Sequence, residues 1–102
     1  MMQLRVSNLS LVEDGCPPVV RCSVLDADGR NHEFVEKLAV LSTSPCLPAP
    51  DASIDCFVLE TRRNDAGRRV VLVDVGRPWG CATVDGLTTL TVAEEQLLPA
   101  RI

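Results

Sequence analysis

Five cysteines, at positions 16, 22, 46, 56 and 81, and a single histidine, His32, are the residues of this chain best suited to nucleophilic or metal chemistry. A thiol nucleophile needs a base, and the base needs a group to orient it. A thiol-dependent enzyme would use His32 as base for Cys81 or Cys16. No spacing marks the third group, so His32 is expected to be a partly exposed strand residue. The cysteines contain no CxxC pair, and structural zinc sites draw on closely spaced ligands. No metal and no cofactor are therefore expected. Cys22 and Cys56 fall on apolar phases, where a free thiol packs as a small hydrophobe. Asp26-Ala-Asp28-Gly29 resembles the start of a calcium loop, but its glycine comes fourth where such a loop needs it sixth, and a hairpin turn accounts for the residues. GxxxxGK[ST], GxGxxG and GxSxG stretches are all missing from the sequence.

Two features suit binding. Arg62, Arg63, Arg68 and Arg69 converge if 62–69 is a hairpin end, and Arg77 follows a strand later. The planar guanidinium fork fits a carboxylate or a phosphate. The competing reading is a solvated hairpin tip. Trp79, in the turn Pro78-Trp79-Gly80, is the only tryptophan of a chain with no tyrosine and two phenylalanines. It is either a core plug, the favoured expectation, or an exposed anchor beside the arginines.

The elements that position these residues read as strands. A first strand over 3–11 has Leu4 and Val6 in phase but Leu9 and Leu11 shifted by one, which predicts a bulge or bend. Val20, Cys22 and Val24 define the inner face of a second strand over 19–26, and a third covers 31–36, with a continuation through 38–41 after a kink. Residues 42–53 hold three prolines and are expected as a surface loop between two hairpin halves. Strands over 54–61, 69–75 and 87–92 follow, the second apolar enough to be central and buried on both faces. Thr91-Val92-Ala93-Glu94 has capping-box spacing, which predicts a short helical turn over 93–98 stopped by Pro99.

Cys22-Ser-Val-Leu-Asp26 matches Cys56-Phe-Val-Leu-Glu60 at an offset of 34. Two unrelated hairpins and a duplicated one both explain this. The strand pattern predicts one all-β domain over 1–102, a six-stranded partly open barrel or sandwich built from hairpins. With 102 residues, 46% hydrophobic and 24% charged, the chain has the balance of one ordinary globular domain.

The stretch from Cys22 to Lys37, with its V-L-D-x-x-G-R-x-H-x-F pattern, resembles small uncharacterised bacterial proteins that also carry a later Pro-Trp-Gly turn. The resemblance implies a self-contained bacterial domain and transfers no activity and no site. A net charge of −4 disfavours nucleic acid as partner. The N-terminus lacks a basic region followed by an apolar one, and no apolar run approaches the ~20 residues of a membrane span. The expectation is a cytoplasmic, non-catalytic module that binds another protein, with five free thiols. A nucleic-acid or phosphate-binding barrel and a thiol enzyme are the alternatives.

Overall fold

The phase shift in the first strand is the point where the chain changes sheets. β1 (Met2–Arg5) and β2 (Ser7–Glu13) are separated at Val6, whose N–H donates to the Ala52 carbonyl at 3.1 Å. Asn8 takes a positive φ of 56°, and the β2 register slips between Ser7 and Ser10. Asparagine tolerates this left-handed conformation better than most residues. The computed structural model describes residues 2–15, 18–37, 41–42, 52–77 and 79–99.

The remaining strands are β3 (Val19–Leu25), β4 (Asn31–Lys37), β5 (Leu41–Ser42), β6 (Ser53–Arg63), β7 (Arg69–Asp74), β8 (Thr89–Ala93) and β9 (Leu97–Pro99). One antiparallel sheet runs β8-β7-β6-β1-β9, with β5 also on β6, and a second runs β2-β3-β4. The chain is all-β as expected, in two antiparallel sheets that do not close into a barrel. The excess over six strands has three sources: the break at Val6, the short β5, and β9.

Both sheets contribute to one core. Val20, Cys22, Val24 and Phe34 come from the smaller sheet, and Leu4, Ile54, Cys56, Val71, Val73, Leu90 and Val92 from the larger. β7 is central, paired with β6 and β8. Its Val71 and Val73 face the core, and Val70 is also buried, but Leu72 is only partly so. Burial on both faces therefore holds at Val70 and weakens one pair further along.

The loop expected over 42–53 is tied down at its ends. Ser42 pairs with Ser53, and Leu41 and Ala52 are buried. Residues 43–51, and the strand continuation over 38–40, lie outside the described residues. At the C-terminal end the helical turn shrinks to a 3-10 turn over Glu94–Gln96. Its cap is not the Thr91–Glu94 pair, because Gln96 Oε1 accepts the Ala93 N–H at 2.8 Å. The chain then re-enters the larger sheet as β9, on the outer side of β1. Proline is tolerated there because β9 is an edge strand.

Three connections use one local device. In the β3–β4 turn, Asp26 N–H donates to Arg30 O at 2.8 Å and Gly29 N–H to Asp26 O at 3.1 Å. Asp26 Oδ1 also accepts the N–H groups of Asp28 and Arg30, each at 2.9 Å. The β6–β7 turn repeats this with Asn64, whose Oδ1 accepts from Ala66 and Arg68 at 3.0 Å. Thr83 Oγ1 likewise accepts the Leu87 N–H at 3.0 Å. Gly29 and Gly67, at φ of 82° and 77°, fill the left-handed position that closes a three-residue loop. The equivalent turn residues, Asp26 and Asn64, stand 38 apart (64 − 26), not the 34 of the cysteine match. Cys22 and Cys56 thus sit at different distances from equivalent turns, in different sheets. That favours two separate hairpins over a duplicated one.

Candidate binding surface

The β6–β7 register sets the arginine cluster. Arg62 pairs with Val70, and Arg63 stands directly opposite Arg69. Like charges in that relation repel. Each of the two is drawn aside by a different partner: Arg63 Nη1 donates to Gly67 O at 3.0 Å, and Arg69 Nε meets Glu94 Oε2 at 3.0 Å. Arg62 and Arg68 are exposed and form no ion pair among the described residues. The four arginines do converge at one hairpin tip, as their spacing predicted.

Arg77 and Trp79 do not join them. Arg77 Nε bonds Asp74 Oδ2 at 2.9 Å, and its guanidinium lies over the Phe57 ring at 5.4 Å from the centroid. Phe57 pairs with Asp74 at the opposite end of the hairpin from Arg63. Five residues of β6, the bulge residue Leu59 among them, lie between the two, roughly 17 Å at about 3.3 Å per paired residue. Trp79 donates its indole N–H to Asp55 Oδ2 at 2.8 Å, and Asp55 Oδ1 accepts from Gln3 Nε2 at 3.3 Å. Trp79 is 56% exposed, which overturns the expectation of a core plug. The six candidate residues therefore form two patches, a cationic tip on the hairpin and an aromatic patch packed against its base.

Between the patches β6 changes character. From Ser53 to Cys56 it is largely buried, and from Phe57 onward exposed, including Phe57, Val58 and Leu59 in succession. The first part pairs with β1, and its first two residues also with β5. From Phe57 to Arg63 only β7 pairs with it among the described strands, so one edge of that half is unpaired. The register slips between Val58 and Glu60, leaving Leu59 as a bulge residue. Composition hides this surface, because a run of three apolar residues reads as core in a sequence.

The residues suited to covalent chemistry are placed differently. Cys22, Cys56 and Cys81 are buried free thiols. Burial, aided by nearby Glu36, pushes the Cys22 thiol up to about 12 and that of Cys81 up to about 11, and burial with Asp55 does the same for Cys56. All three stay protonated at neutral pH, the reverse of an activated nucleophile. Glu36 is itself shifted upward by burial, against the Ala82 N–H that it accepts. Cys16 and Cys46 lie outside the described residues. His32 Nε2 is engaged by Asp26 Oδ2 at 2.6 Å, a pair that the sequence reading missed. Its only signal is the hairpin register, which places His32 opposite Val24, two residues before Asp26. Among the described residues no group of three His, Cys, Asp or Glu side chains is arranged to hold a metal, and no helix is long and apolar enough to cross a membrane. Neither a protein-family profile, nor a curated protein, nor a solved structure matches this chain.

Proposed function

We propose that this protein is a non-catalytic interaction module that captures an acidic partner protein through the tip of the β6–β7 hairpin. The observation that carries the reading is the Arg63–Arg69 cross-strand pair, flanked by Arg62 and Arg68 without counter-charges among the described residues. A chain of net charge −4 thus concentrates positive charge at one projecting end. Such a patch orients the approach of a negative partner. A nucleic acid finds less to hold, because stacking surfaces need several aromatics and Trp79 and Phe57 lie at the far end of the hairpin. Buried free thiols at Cys22, Cys56 and Cys81 fit a reducing compartment such as the cytoplasm.

The test starts from partners captured in the native host and identified by mass spectrometry. One purified partner is titrated calorimetrically against wild type and against Arg62→Ser/Arg63→Ser/Arg68→Ser. The triple variant should melt as wild type does and bind at least about tenfold more weakly, and added salt should weaken the wild type similarly. Equal affinity of the two proteins would overturn the assignment.

A further inference from the structure

The unpaired half of β6 borders a groove of about 440 Å³. Val58, Thr61 and Val71 line it from the β6–β7 side, and Met2 and Leu97 from the ends of β1 and β9. Glu94 and Glu95 form the remaining wall, and Glu94 is already paired with Arg69. The register explains the opening. Among the described residues β1 pairs with β6 as far as Met2–Cys56, and the next seven residues of β6 have β7 as their one strand neighbour. Val58 and Thr61 pair with the core-facing Val73 and Val71, so their side chains belong to the core-facing side of the sheet although they are exposed. Among the described residues, an unpaired row of N–H and C=O groups thus runs beside a groove with both apolar and carboxylate walls, and it ends at the arginine tip.

We propose that the free edge of β6, from Phe57 to Arg63, takes an extended segment of a partner protein as an added strand, with an apolar side chain in the Val58–Thr61 groove and carboxylates at the arginine tip. This rests on the reading of the tip as an acidic-partner site. In strand addition the main-chain hydrogen bonds supply affinity and pockets for alternate side chains supply selectivity. Charge complementarity chooses the occupant. Arg62 and Arg68, exposed and without an ion pair among the described residues, offer positive charge at one end of the edge. A second copy of the chain fits poorly. Antiparallel self-pairing centred on this half sets Glu60 against Glu60, and parallel self-pairing sets one arginine tip beside another, and directly opposed like charges destabilise a strand pair.

The probe is a capped synthetic peptide, Glu-Val-Glu-Val-Thr-Val-Thr, written so that its carboxylates reach the tip when it lies antiparallel to β6. Its affinity is measured by fluorescence anisotropy and its footprint by amide hydrogen exchange. Binding should protect amides in 57–63. N-methylation of one alternating set of peptide amides should weaken binding by about tenfold or more, while methylation of the other set changes it little, because only one edge of the peptide pairs. Thr61→Trp, which fills the groove at an exposed position, should weaken it by a similar factor. Absence of saturable binding, equal effects of the two methylation patterns, or indifference to Thr61→Trp would each overturn strand addition. So would tighter binding of a single-stranded oligonucleotide of equal charge, or binding that appears only once residues 100–102 are deleted. Failure here leaves the tip reading separately testable. Loss of binding in Arg62→Ser/Arg63→Ser/Arg68→Ser with no difference between methylation patterns keeps that reading and discards the added strand.

Discussion

Asp26 Oδ2 and His32 Nε2 lie 2.6 Å apart across the β3–β4 hairpin, both side chains largely shielded from water. The other oxygen of the same carboxylate holds the turn through two backbone N–H groups. The turn in turn reaches the larger sheet, since Ala27 N–H donates to Thr91 O at 2.9 Å and Gln96 Nε2 to Leu25 O at 2.8 Å. One carboxylate therefore organises a joint between the two sheets.

Partial burial alone would raise the pKa of Asp26, but the hydrogen bonds from His32, Arg30 and Asp28 outweigh it and hold the carboxyl below its ordinary value. A carboxyl depressed in the folded state stabilises the fold above its unfolded pKa of about 4, and the contribution disappears as pH falls through the folded value. Asp26→Asn should cost about 1–3 kcal/mol at neutral pH. In urea unfolding, the gap between variant and wild type should narrow as pH drops below about 4. A gap that stays constant down to low pH would show that the charge of Asp26 is not what stabilises the turn.

The three described thiols should be silent in the native state. In Cys16→Ser/Cys46→Ser, Cys22, Cys56 and Cys81 should alkylate at least about a hundredfold more slowly in native buffer than in denaturant. A pKa near 11, against about 8.5 for a free thiol, accounts for roughly that factor. A single thiol that reacts rapidly in the native protein would contradict the burial.

Core position should separate two residues of similar size. Ile54 is fully buried between β1 and β5, so Ile54→Ala should cost about 2–5 kcal/mol. Leu72 is only partly buried, and Leu72→Ala should cost about 1–2 kcal/mol. Equal losses in chemical denaturation would mean that the outer face of β7 is covered as fully as the inner.

As the only tryptophan, Trp79 reports on its own exposure. Native emission should lie close to that of the unfolded chain, and acrylamide should quench it efficiently. Asp55→Asn should alter the native spectrum through the lost charged acceptor of the indole N–H, and Trp79→Phe should cost under about 1 kcal/mol. A blue-shifted, poorly quenched native emission would place the ring in the core after all.

Gly67 tests the turn. A Cβ there would meet nothing within 4 Å, so the cost of Gly67→Ala is conformational, about 1–2 kcal/mol from the positive φ of 77°. Gly67→Asn should cost less, since asparagine visits that region more readily. Thermal melts of the two variants compare them directly.

Chain-local features were legible from the residues alone. Asp26-Ala-Asp-Gly-Arg30 and Asn64-Asp-Ala-Gly-Arg68 mark turns because a side-chain acceptor, a tight bend and a left-handed glycine act within five positions. The alternation of Val20, Cys22 and Val24 marks a buried face because strand geometry puts every second side chain on one side. The convergence of Arg62, Arg63, Arg68 and Arg69 followed from the same hairpin logic.

Pairing between distant segments decided the rest. The phase shift near Val6 announced a bend, but only the partners of β1 and β2 make it a passage between sheets. Leu97–Pro99 has no strand signal of its own and becomes β9 because the outer edge of β1 is open to it. Arg77 and Trp79 are separated from the other arginines by the direction of β7, which carries the chain away from the tip. The apolar run at 57–59 looks like core in one dimension. It is surface because, among the described residues, only β7 pairs with that part of β6, and strand pairing is set by tertiary packing, not by the residues that it leaves exposed.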